Sequence, residues 1–235
     1  MKVSVFILLS LLPLAATAQE NFAIKGYGKH LKDGDKIFLS YKQDNKFIDD
    51  STVVFNHQYS LKGKFSTAVR GYISRNANPK YAEILHDSFD IYIEKGEILL
   101  NSPDTINNSI ASGTSSNIEN AVLQFSLKQF RAKNKSTKNL EELSEEELKD
   151  TAFVNSLKAK QLVKWHQENL IKLDFVTKYP YSYVSLYHIG QLSRSSKYLN
   201  EVEKHYLKFP AKFKELSEGK EITEEYLKVV KLPLV

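Results

Sequence analysis

Residues 47–65, FIDDSTVVFNHQYSLKGKF, contain the adjacent carboxylates Asp49 and Asp50. Two carboxylates converging on one site could divide general acid and general base work between them. On a strand, however, successive side chains point to opposite faces, so sequence neighbours enter one site only if a bulge intervenes. The pair is therefore expected to be the polar side of a hairpin. Asp33 and Asp35 flank a glycine as in a calcium loop, but the further spaced oxygen ligands and the closing glutamate do not follow. The histidines, at 30, 57, 86, 166, 188 and 205, include no pair at the i, i+3 or i+4 spacing of helical metal ligands. His166 shares a helical stripe with Val163, Leu170 and Leu173, which reads as a satisfied histidine at the edge of a helical core, with Trp165 beside it as a core anchor. Gly26-Tyr27-Gly28 lacks the third glycine and the following helix of a nucleotide fingerprint. A phosphate loop, a nucleophile elbow and an H-E-x-x-H pair do not occur. The 235 residues contain no cysteine, which excludes thiol exchange, a cysteine nucleophile and thiolate metal ligation within them. No catalytic residue, no cofactor and no metal is expected.

The first half must supply strands. FAIKGYGK, DKIFLSYK, FIDDSTVVF, QYSLKGKF, VRGYISR, FDIYIE and GEILLN are short, rich in β-branched and aromatic residues, and separated by turn chemistry. Tyr59, Leu61 and Phe65 alternate with polar neighbours, and Phe89, Ile91 and Ile93 do the same, giving each strand one buried and one wet face. Asp33-Gly34 and Lys95-Gly96 are expected to turn hairpins, and Asn56-His57 to turn the hairpin at the centre of the opening stretch. Gly63 marks a bulge or a close approach. NPKYAEILHDS reads as a longer connection that could hold a helical turn.

Strand character stops near SIASGTSSN. Ile118, Val122, Phe125 and Gln129 then set a helical period and are expected to form a core-facing stripe. Ser144-Glu145-Glu146-Glu147 is a capping box that opens a second helical region running, with a possible break, to Lys178, where Tyr179-Pro180 ends it. Helices are expected over SYVSLYHIGQL, YLNEVEKHYLKF and EITEEYLKVV. The fold class is therefore α+β, all-β then all-α: an antiparallel β-sandwich of seven or eight strands over 19–113, followed by an α-helical extension over 114–235.

Residues 1–18 combine Lys2, an apolar run from Val3 to Leu14 and the triplet Ala16-Thr17-Ala18. This is the pattern of a secretory signal peptide cut between Ala18 and Gln19. Export to the periplasm or medium is expected, without a membrane span in the mature chain and without a lipoprotein anchor, since no cysteine is present to be acylated. The formal charge is +5, and most of the excess falls after residue 114. There lysines alternate with glutamates, as on a solvated helical surface and unlike a nucleic-acid footprint.

DGDKIFLSY, the opening stretch, DIYIEKGEILLNSPDTINNSIASGTSSN and KYPYSYVSLYHIGQL together resemble a known pattern. It is that of the N-terminal domain of unknown function that precedes the thioredoxin-like domain in exported TlpA-type disulfide reductases of the Bacteroidota. The resemblance spans most of residues 21–220. It implies a β-sandwich with a helical extension in a lineage whose partner domain does redox work, and it implies no catalytic residue here. The family's Cys-x-x-Cys has no counterpart among these residues, whose last stretch, KLPLV, lies close to where that domain would begin.

Three functions follow as expectations. The first is a non-catalytic interaction or assembly module, with a protein partner that could be thioredoxin-like. The second is a small-ligand or glycan binding domain using a tyrosine-lined sheet face. The third is a piece of a longer thiol-disulfide oxidoreductase. A hydrolase built on dispersed acids and histidines would need at least two of them converging in a cleft. For an exported protein of that phylum, the Asp-Ser/Thr-apolar triplets at Ser51, Thr105 and Thr151 also match an O-glycosylation acceptor pattern. An intact mass equal to the bare polypeptide from the native host would dispose of that assignment.

Overall fold

The computed structural model describes residues 20–43, 46–134 and 140–231. Eight strands form two four-stranded sheets, and helices follow. The strands are β1 (Glu20–Tyr27), β2 (Lys36–Gln43), β3 (Lys46–Val53), β4 (Gln58–Phe65), β5 (Val69–Arg75), β6 (Ser88–Ile93), β7 (Gly96–Asn101) and β8 (Ile110–Ser112). One sheet has the order β4-β1-β7-β8 and the other β3-β2-β5-β6. The helices are α1 (Ser115–Lys133), α2 (Glu145–Lys149), α3 (Thr151–Lys178), α4 (Tyr183–Leu192), α5 (Leu199–Tyr206), α6 (Ala211–Lys214) and α7 (Ser217–Lys231). The expected signal peptide, with Ala18 and Gln19, lies outside the described residues.

The inward positions of both sheets meet in one apolar core. Phe22, Ile24, Leu61 and Ile98 come from the first sheet, and Ile37, Leu39, Ile73 and Ile91 from the second. Two inward positions in the first sheet are glycines covered by a cross-strand ring. Gly63 pairs with Phe22 and Gly26 with Tyr59, and a Cβ on Gly26 would lie 2.0 Å from the Tyr59 ring. The pairing of β1 with β4 is continuous, so Gly63 marks a close approach and not a bulge.

Three pairing expectations need correction. The sandwich is not wholly antiparallel, because β1 and β7 run parallel. A period of two records which face is wet and carries no information on strand direction. The glycines of Asp33-Gly34 and Lys95-Gly96 do take positive φ, 94° and 122°, yet each turn carries the chain from one sheet to the other and closes no hairpin. Asn56 and His57 both take positive φ, and Phe55 bridges Gln58 across them. Beyond that bridge β3 and β4 diverge into opposite sheets, so the opening stretch is a hairpin only at its tip. The 76–87 connection contains turns and no helix.

The helical half breaks at the capping box as expected. Ser144 Oγ accepts from Glu147 N at 3.2 Å while the Glu147 carboxylate accepts from Ser144 N at 2.9 Å, and Asp150 then caps α3. On α1 the expected stripe faces the wrong way. The buried residues are Ser116, Asn117, Asn120, Leu123 and Leu127, whereas Ile118, Val122 and Phe125 are exposed. At about 100° per residue the two sets lie on opposite sides of the helix. The helix is apolar on both, and periodicity alone could not choose between them.

What fixes that choice is a polar joint between β6 and α1. Asn117 is fully buried. It accepts from Tyr92 N at 3.0 Å and donates to Tyr92 O at 2.7 Å, so it stands in for a neighbouring strand along the edge of β6. Its Nδ2 also donates to Thr114 Oγ1 at 2.8 Å. The Glu94 carboxylate accepts from Ser116 N at 2.7 Å and from Ser116 Oγ at 2.9 Å, placing a negative group over donors of the first helical turn. One turn on, Ser182 Oγ at the start of α4 donates to the Glu119 carboxylate. Burial holds the Glu119 carboxyl above its ordinary range, with the Ser182 bond opposing that shift and Glu94 adding to it. Behind this joint Tyr92, Leu123, Leu127, Phe175 and Val184 form an apolar cluster between sheet and helices.

Candidate functional site

Two surfaces concentrate exposed aromatic or apolar side chains near groups of defined chemistry. The first is a cleft of about 600 Å³ between the outer face of the second sheet and helices α4 and α7 with the turn that leads into α7. Alternation along β5 turns Gly71 and Ile73 into the sandwich and presents Arg70 and Tyr72 outward. Across the sheet, register aligns Asp49, Ser40, Tyr72 and Asp90 in one row. Phe47 and Lys42 form the start of the next row, with Arg70 opposite Tyr92 at its far side.

Arg70 organises this floor. Its guanidinium carbon lies 4.8 Å from the Tyr72 ring centroid and 4.4 Å from that of Tyr187 on α4, within cation–π range of both. Its Nη1 donates to Tyr72 Oη at 2.7 Å, and its Nη2 pairs with Asp90. Burial works to lower the Arg70 pKa, but the Asp90 carboxylate outweighs it and the pKa is raised. Tyr187 and Gln191, at i and i+4 on one face of α4, and Arg194 in the turn after that helix form one wall. Glu218, Glu221 and Glu225 on α7 form the other. Burial pushes the Glu218 carboxyl up.

The second surface runs along α1 and α3. Ile118, Val122, Phe125 and Leu170 are 50%, 44%, 63% and 42% exposed. Val122, Phe130, Leu170 and Ile171 line a groove of about 660 Å³ between the two helices, with Lys133 and Lys178 among its polar residues. Farther along α3, Leu162 and Val163 are also exposed. Arg131 and Glu168 clamp the two helices together through paired bonds of 2.8 and 2.6 Å.

The acidic pair of the opening stretch sits on β3, away from both surfaces' walls. Asp49 accepts from Ser40 Oγ and Asp50 from Ser51 N at 2.7 Å, so their carboxylates face different partners. Asp33 accepts from Asn56 N, and Asp35 from Lys32 N and Asn76. Burial raises the Asp35 pKa, but those bonds and Arg75 outweigh it and hold the carboxyl below its ordinary value. His166 Nδ1 is 2.7 Å from Tyr198 Oη. Trp165 packs edge-on against the same ring while remaining 43% exposed, and Val163 and Leu170 of the expected core stripe face solvent. His188 is buried on α4, and its desolvation, with Lys172 and Arg70 nearby, lowers its pKa to about 3. Among the described residues no three His, Asp or Glu side chains converge to hold a metal ion, and no helix is long and apolar enough to cross a membrane.

Ser51 is exposed on β3, and Thr151 is exposed at the first position of α3. Thr105 is half-buried and accepts from Asn108 N at 3.2 Å. None of the three lies in the cleft or the helical groove. The cleft residues went unnoticed in the sequence, although the alternation in VRGYISR already placed Arg70 and Tyr72 on one face. Their meeting with Tyr187 depends on how α4 crosses the sheet, for which no local pattern exists.

The architecture is a two-sheet sandwich with a helical extension locked to its edge. Residues 22–120 carry a match to the family model described as Domain of unknown function (DUF4369). The matched stretch takes in all but the first residues of the sandwich, and it ends inside α1 beyond Glu94 and Asn117. No curated protein matches the chain.

Proposed function

We infer that this protein is an exported, non-catalytic module that acts by binding another protein through the α1/α3 face. The observation that carries this reading is the exposed apolar set of Ile118, Val122 and Phe125, opposite the buried side of α1, together with Leu170 on α3. Surface apolar residues scattered singly need no explanation, but several on one helix face beside a groove that Val122 and Leu170 line are a usual mark of an interaction site. Lys133 at the groove favours a partner with an acid beside its apolar face, since Lys178 is already paired with Asp174. The resemblance to the N-terminal module of TlpA-type reductases supports a thioredoxin-like domain as the partner and the bacterial periplasm as the compartment. With no thiol in the chain, redox work would belong to that partner.

The test is co-purification of the full chain from the exported fraction of its source, comparing wild type with Phe125→Glu and Leu170→Glu. A partner recovered with wild type and lost with both variants supports the reading. A partner retained by both variants, or none recovered with wild type, refutes it.

A further inference from the structure

The cleft over the second sheet is chemically distinct from the helical stripe. Its floor and walls combine aromatic rings with paired charges of both signs. We propose that this cleft is a binding site for a short neutral oligosaccharide, held by the rings of Tyr72, Tyr187 and Phe47 and by the hydrogen-bonding groups of Gln191, Arg194 and Glu218.

Each alternative ligand class conflicts with a feature of the cleft. An anion would meet Glu215, Glu218, Glu221 and Glu225 against Lys42, Arg70, Arg194 and Lys220, four charges of each sign. Of the four cations, Arg70 is already paired with Asp90 and bonded to Tyr72. No net field favours phosphate, nucleic acid or an acidic peptide. A peptide added as a strand needs a free sheet edge, yet the floor strands β2 and β5 are interior, each paired on both sides, and the edge strand β3 reaches the cleft through Phe47 alone. An acyl chain needs an apolar lining, and here apolar rings alternate with charged groups around the walls.

A neutral sugar meets both requirements of this surface. Its C–H faces pack on exposed aromatic rings, and its hydroxyls, donors and acceptors at once, satisfy carboxylates and cations side by side. Tyr72 is 38% exposed and Phe47 77% exposed, separated on the sheet by small Ser40 and by Lys42, so the rings flank a depression. The Arg70 guanidinium between Tyr72 and Tyr187 fixes both rings before a ligand arrives, which lowers the ordering cost of binding. The volume lies in the range of small-ligand sites and suits about two or three sugar residues.

The test is an amide-resolved NMR titration of the full chain with cellotriose, maltotriose, xylotriose, mannotriose and chitotriose at millimolar concentration, with sialyllactose as the anionic probe. The expected result is saturable shifts at Tyr72, Tyr187 and Gln191 with at least one neutral probe. Tyr72→Ala and Gln191→Ala should each weaken that binding by about tenfold or more, while Tyr27→Ala, which removes an exposed ring on the opposite sheet, leaves it unchanged. Spectra that keep the folded dispersion in each variant separate lost contacts from lost structure. No saturable shift with any neutral probe overturns the proposal. So do binding of sialyllactose alone and binding indifferent to both cleft variants.

Discussion

Replacing Asn117 by alanine removes one side chain from the centre of the joint that seats α1 on the sandwich. Three partners lose their bonds at once: Tyr92 N, Tyr92 O and Thr114 Oγ1, at 3.0, 2.7 and 2.8 Å. Asn117 and Tyr92 are both buried, so water reaches these groups poorly. An orphaned buried donor or acceptor costs about 1–3 kcal/mol. The two backbone groups of Tyr92 alone therefore put the loss at about 2–6 kcal/mol, against the roughly 5–15 kcal/mol that holds an ordinary domain folded. For a chain of this length that corresponds to a fall of roughly 10 °C in the melting temperature. Urea unfolding followed by far-UV circular dichroism and by Trp165 fluorescence reads the loss directly. Asn117→Asp separates the hydrogen-bond account from a packing account, because the carboxylate can still accept from Tyr92 N but cannot donate to Tyr92 O. It should be at least as damaging as alanine. Asn108→Ala, at an exposed position, should stay within about 0.5 kcal/mol of wild type. A loss below about 1 kcal/mol for Asn117→Ala, or an Asn117→Asp variant as stable as wild type, would refute the reasoning.

Other outcomes follow from the same structure. With its folded pKa depressed to about 3, His188 stays neutral in the fold while the unfolded chain takes up a proton below about 6.5. Its contribution is complete above that value and falls by about 1.4 kcal/mol per pH unit on acidification. Urea midpoints measured between pH 7 and 5 should therefore decline more steeply in wild type than in His188→Leu, and equal slopes would count against the assignment. Gly113→Ala places a Cβ 2.1 Å from Glu97 O at a φ of +91°, so a loss of about 2 kcal/mol or more is expected in the same assay. Arg131→Ala breaks a two-bond ion pair whose Glu168 side is largely covered and should cost about 1 kcal/mol.

How much could be read from the residues varies with the kind of information each feature needs. The strands of the sandwich and the start of α2 are local: alternation in QYSLKGKF and the capping box at Ser144 suffice. The start of α4 after its cap Ser182 is local too, whereas the start of α3 after Asp150 is not among the expected helix starts. Direction and sheet membership are not, which is why Asp33-Gly34 reads as a hairpin turn while carrying the chain between sheets. Ile118, Val122 and Phe125 form a regular stripe, yet the core takes the opposite face, because Asn117 and Glu94 dock the helix through polar bonds that hydropathy does not record. The cleft combines both cases. Arg70 and Tyr72 share a face by alternation, whereas Tyr187 joins them only through the packing of distant segments.

The exposed stripe on α1 and α3 is the feature on which a contact function rests, and photo-crosslinking interrogates it most directly. A benzophenone side chain is placed at position 125 or 170 of the full chain in its native exporting cells, with position 27 on the far sheet as reference. The account predicts a discrete adduct with one partner protein from positions 125 and 170, lost when Val122 is changed to glutamate, and none from position 27. Equal labelling from all three positions, or none from the helical face, would contradict it.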